Sequence, residues 1–125
     1  MLNVEAWAID KLEADSALVA LLGTADRIMK GRPATIEILP LVTVGEVNQT
    51  SEAYSDDAPN MDESLIEVHV WTGDAGTFAI AAAVDAVMIG LGFDREYSNN
   101  IPDPDLGIQH RVSRYRRKLS ADDLI

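Results

Sequence analysis

The strand Leu65–Thr72 runs almost directly into a helix, Ala75–Leu91, that is apolar on nearly every side, and this constrains the fold more than any other feature. Alternation in the strand sends Ile66, Val68 and Val70 one way and Leu65, Glu67, His69 and Trp71 the other. At about 100° per residue, Phe78, Ala79, Ala82, Ala83, Ala86 and Ile89 make one stripe of the helix. Ile80, Val84, Val87 and Leu91 make a second stripe beside it, and only Thr77 and Asp85 mark a polar edge. A surface helix of a small domain normally shows one apolar stripe and a charged back. Two stripes need two covers. One is the chain's own sheet; the other is either the N-terminal helix or a second copy of the chain. The four side chains Ile80, Val84, Val87 and Leu91 would contribute about 6–12 kcal/mol on burial, before the costs of association.

A length of 125 residues makes one domain, 1–125, with a single core. Hydrophobic content of 47% with 25% charged residues excludes wholesale disorder. No run of 18 apolar residues is present to span a membrane as a helix, and Met1–Glu5 lacks the basic start and apolar core of a signal peptide. With no cysteine, neither disulfides nor thiolate metal sites are available.

The net charge of −11 is uneven: five of the ten basic residues lie between Arg111 and Lys118, and no acid occurs between Leu106 and Ala121. A body of this charge repels phosphate backbones, which argues against stable nucleic-acid binding. The cationic strand has three open uses: a solvated edge that discourages aggregation, a contact to the acidic face of a neighbouring copy, or a phosphate site.

Asn3 and Asp15 are N-cap residues for helices Val4–Ala14 and Ser16–Leu22, the second ending at Gly23. Arg27–Met29 reads as a short extended piece, and Leu41–Val47 as a β-branched strand after Pro40. Asn48–Asp62 is polar and rich in turn formers, and reads as a long loop able to order against a partner. Asp74 caps the apolar helix. Phe93–Tyr97 alternates as a strand, Ser98–Gly107 reads as a turn-rich loop, and Ile108–Leu119 as a last strand whose poor alternation suggests an edge or a bulge. The order predicts an α+β domain: a mainly antiparallel sheet of about four strands with helices on one face. Strand–helix–strand over Leu65–Tyr97 would add a parallel pair and make the sheet mixed.

Catalytic material is sparse. His69 and His110 are the two histidines, and no nucleophile elbow, phosphate-cradling loop or His-Glu-x-x-His occurs. Paired carboxylates at Asp56/Asp57, Asp103/Asp105 and Asp122/Asp123 lack the converging ligands that a Mg²⁺ or Ca²⁺ site needs. Trp7 and Trp71 suit a core or an interface. Arg114-Tyr115-Arg116-Arg117 interleaves an aromatic with cations, but over only four residues.

The stretch Asp15–Gly23 followed by Asp26-Arg27-Ile28 resembles the start of tail-completion proteins of long-tailed phages, also called tail terminators or tail-to-head joining proteins. Leu39-Pro40-Leu41-Val42-Thr43-Val44, the strand ending Val68-His69-Val70-Trp71, the Ala-rich helix Ala75–Leu91 and the arginine strand Arg111–Lys118 continue the likeness in order. The resemblance implies a structural virion protein without an active site or cofactor, found at the tail end or neck and in the host cytoplasm during assembly. It implies a self-assembled ring, usually a hexamer, that stops the tail tube and offers a surface to the head. DNA passes through such a ring without specific binding. The partners implied are the tail tube protein and a head-completion or connector protein. On this reading the subunit joint comprises Ile80, Val84, Val87, Leu91 and Trp71, with Arg111, Arg114, Arg116 and Arg117 bridging to acids of the neighbour. Thr50, Tyr54, Asp56 and Asp57 belong to the loop that meets the tube or the connector. Two other classes stay open: a small host peptide-binding domain, and an enzyme using His69 with a loop carboxylate.

Overall fold

Side chains along β3 (Met61–Thr72) alternate between half-buried and fully buried over all twelve residues, and this strand is the middle of the sheet. The computed structural model describes residues 1–31, 38–52, 61–103 and 107–124. Helices α1 (Val4–Glu13) and α2 (Ser16–Leu22) come first, then β1 (Ile28–Lys30) and β2 (Leu41–Glu52). After β3 follow α3 (Phe78–Gly90), β4 (Asp94–Asp103) and β5 (Ile108–Leu119). The five strands lie in the order β1-β2-β3-β5-β4, with β1–β2 parallel and every other pair antiparallel. The architecture is the expected α+β, with five strands where about four were expected. The parallel pair is not across α3: β4 pairs with β5, and the parallel partner of β2 is the short piece before it.

The helices cover one face of this sheet. Ile28, Val42, Val44, Ile66, Val68, Val70, Tyr115 and Leu119 meet Val4, Ala8, Leu12, Leu18, Leu22, Ile80, Val84, Met88 and Phe93 in one core. The caps follow from sequence: Asn3 Oδ1 accepts from the Ala6 N–H, Asp15 Oδ2 accepts from the Leu18 N–H, and Gly23 leaves α2 at φ 90°.

Three local expectations need correction. First, α3 begins at Phe78, not Ala75. Gly76 is a poor helix former, and the Thr72 hydroxyl donates to the Ala75 carbonyl, holding Gly73–Thr77 as a turn that leaves Asp74 outside the helix. Second, both segments read as loops are partly strand. The β2–β3 ladder continues to Glu52↔Met61 past a bulge at Val47, and Ser98–Asp103 pairs with Ser113–Ile108. Polar sequence did not prevent pairing, because a backbone ladder needs no apolar side chain and Gln49 clamps both backbone groups of Leu2. Third, β5 is an inner strand, and the bulges lie in β2 and at Glu96 of β4. Its arginines disguise it, since they lie beside acids on the flanking strands.

Candidate functional site

On α3 the two stripes exchange the roles expected of them. Ile80 and Val84 are 6% and 1% exposed, and both belong to the chain's own core. Val87 and Leu91 are half-buried and pack against it. The outward stripe is the other one: Phe78 is 74% exposed and Ile89 49%, with Ala79, Ala82, Ala86 and Gly90 exposed between and around them. Ile80 and Val84 therefore offer no free surface to a second copy. Helical periodicity fixes which residues share a face, but α1 and α2 decide which face points inward.

The arginines of β5 find most of their partners within the chain. Arg114 gives Nε and Nη2 to Glu67 Oε2 and lies 5.3 Å from the Tyr97 ring centre. Arg116 reaches Glu63 at 3.1 Å and Glu96 at 2.9 Å. Arg117 pairs with Asp123 at 3.3 Å and covers the Trp7 ring. All three are matched within one chain, Arg114 and Arg116 across the β3–β5 and β4–β5 pairs and Arg117 by the turn that follows β5. Arg111 differs: its Nε donates to Thr77 Oγ1 at 3.2 Å and its Nη1 to Ser98 Oγ at 3.3 Å, with no carboxylate bound among the described residues.

The sheet face away from the helices carries a cluster that sequence half revealed. Glu67, His69 and Trp71 share that face by alternation, and the β3–β5 register sets His110 opposite Trp71. His69 Nδ1 stands 2.7 Å from His110 Nε2, and His69 Nε2 stands 3.1 Å from Glu67 Oε1. A carboxylate only accepts, so His69 Nε2 carries a proton; in the neutral pair His69 Nδ1 then accepts from His110 Nε2–H. Ring centres 4.9 Å apart mean that these rings meet nitrogen to nitrogen, with the lone pair engaged by a proton. Trp71 lies flat on His110 at 3.5 Å. Burial pushes the Glu67 carboxyl up, but hydrogen bonds from Arg114 and His69 outweigh it and hold the group below its ordinary value. Among the described residues no group of three His, Cys, Asp or Glu converges to hold a metal.

A groove of about 650 Å³ runs between α3 and the edge strand β4. Phe78, Ala81 and Ala82 form its apolar side, and Asp85, Arg95, Tyr97, Ser98, Arg111 and Ser113 its polar side. Asp85 binds Arg95 at 3.1 Å and accepts from the Tyr115 hydroxyl at 2.9 Å. Burial, then that hydrogen bond and the Asp85 charge, push the Tyr115 phenol far up. Of the expected loop contacts, Thr50 is exposed on β2, whereas Tyr54, Asp56 and Asp57 lie outside the described residues.

A family model described as Tail completion protein gp17 matches residues 9–119. The chain belongs to this family. A tail-completion protein is a structural part of the virion at the end of the tail, as the resemblance implied. No curated protein matches the chain. Among solved structures, a chain in the virion of a native gene transfer agent particle superposes with a TM-score of 0.68. That chain is 19% identical, and the match covers 94% of the tail-completion protein and 95% of it. At this identity the likeness speaks for the fold. Three surface features stand out among the described residues: the outer stripe of α3, the α3–β4 groove with Arg111, and the Glu67–His69–His110–Trp71 cluster on the sheet face away from the helices.

Proposed function

We propose that this tail-completion protein closes the tail tube as a ring of identical copies, six in the family's usual form, and offers the surface to which the head joins. The observation that carries the reading is the outward apolar stripe of α3 from Phe78 to Ile89, which a solitary copy leaves in water. Its work is assembly, with no catalytic step. Thr50 and the segment holding Tyr54, Asp56 and Asp57 are the contact to the tube protein or head connector. A net charge of −11 suits a passage through which DNA slides without being held. Light scattering with electron microscopy of the purified protein tests the ring, and particles made without it test the joining. Rings, together with separate heads and tails in the deletion, are expected. A protein monomeric at all concentrations and on isolated tails, or deletion particles that join normally, would overturn the reading.

A further inference from the structure

The polar side of the α3–β4 groove holds a surplus cation. Asp85 is matched by Arg95 and Glu96 by Arg116, while Arg111 is half-buried on hydroxyls alone among the described residues. In a chain of net charge −11, a guanidinium left without a carboxylate is against the general balance. Beside it stands Phe78, the most exposed aromatic of the helix layer. An apolar anchor next to an unmatched arginine is a receptor for a surface that is apolar and acidic.

The opposite edge of the sheet has that character. β1 covers β2 only at Val42–Val44, so among the described residues no strand lies beside Gly45–Glu52 on the side away from β3. Met29 and Val47 are 38% and 46% exposed there; Glu46, exposed beside Val47, accepts at Oε2 from Gln49 at 2.9 Å and Ser64 at 3.2 Å, and the cation of this edge, Lys30, is paired with Glu5 at 3.7 Å. Three strand spacings, roughly 14 Å, separate this stretch of β2 from β4. Two complementary patches at opposite ends of one molecule define a head-to-tail contact, the kind that generates rings. The bulges at Val47 and Glu96 interrupt both edges, so the contact is between side chains, not an added β ladder.

We infer that the α3–β4 groove of one copy receives the β1–β2 edge of the next, with Phe78 as anchor and Arg111 taking the Glu46 carboxylate. This rests on the ring reading and names its joint.

The chain contains no cysteine, so introduced ones are unique. Ala82→Cys marks the groove and Val47→Cys the edge. A short bis-maleimide should link a mixture of the two proteins and neither protein alone, and the double variant should give a ladder ending at the ring. Self-linking of Ala82→Cys would show a two-fold contact and overturn the inference. So would rings in the microscope without any mixed cross-link, which would leave the ring reading intact. Absence of rings on isolated tails as well as in solution would remove both. Arg111→Glu should weaken association at least tenfold, and pairing it with Glu46→Arg should restore it; circular dichroism and the thermal midpoint confirm folding. Arg111→Gln, which keeps donors for Thr77 and Ser98, should weaken association similarly. A charge swap that restores nothing in folded protein overturns the Arg111–Glu46 assignment.

Discussion

His69 and His110 are 41 positions apart in sequence and one proton apart in space. Glu67 anchors them, and it ties the stability of the sheet to acid pH. Its folded value lies below the ordinary 4.5, so the stabilisation is complete above about that pH and is lost as pH falls through the folded value. Glu67→Gln should flatten the acid side of a plot of urea midpoint against pH, leaving a simple offset near neutrality. The Tyr115 hydroxyl is a second test at this scale, since it is buried on Asp85 beneath α3. Tyr115→Phe should cost about 1–2 kcal/mol in urea unfolding, because Asp85 then keeps only Arg95. Alternation along β3 placed Glu67, His69 and Trp71 on one face from sequence alone. The meeting with His110 was not legible, because a register between distant strands leaves no mark in either.

The helix α3 separates what periodicity tells from what packing decides. Its stripes were readable residue by residue, and the surplus of apolar surface was readable as a count. The inward side was not, because the covering surface of α1 and α2 is assembled from residues far away in sequence. Neighbouring residues now have opposite expectations. Met88 is fully buried, and Met88→Ala should cost about 2–4 kcal/mol. Ile89 is half exposed, and Ile89→Ser should change unfolding by no more than about 0.5 kcal/mol while weakening self-association seen by light scattering. The extended arms of β2 and β4 escaped notice for a related reason. Their polar residues satisfy the local signature of a loop, and only the partner strand supplies the ladder.

For the molecule as a whole, composition marked an acidic chain, and the order of its elements pointed to the right family. Charge placement was harder to read. Clustered arginines in β5 suggested links between copies, yet three of the four have acids of their own chain, two across the sheet and one in the turn after β5. Arg116→Gln should accordingly leave rings in electron micrographs unchanged and shift the thermal midpoint only slightly, since it is an exposed pair on a partly open face. The indole of Trp71 adds something of practical use. A ring stacked flat on an indole alters its fluorescence, and His110 is stacked on Trp71 in that manner. Emission from Trp71, isolated by Trp7→Phe, should change when His110→Ala takes the stacked ring away. The protein thus carries its own optical gauge for the side of the sheet away from the helices, readable without any added label.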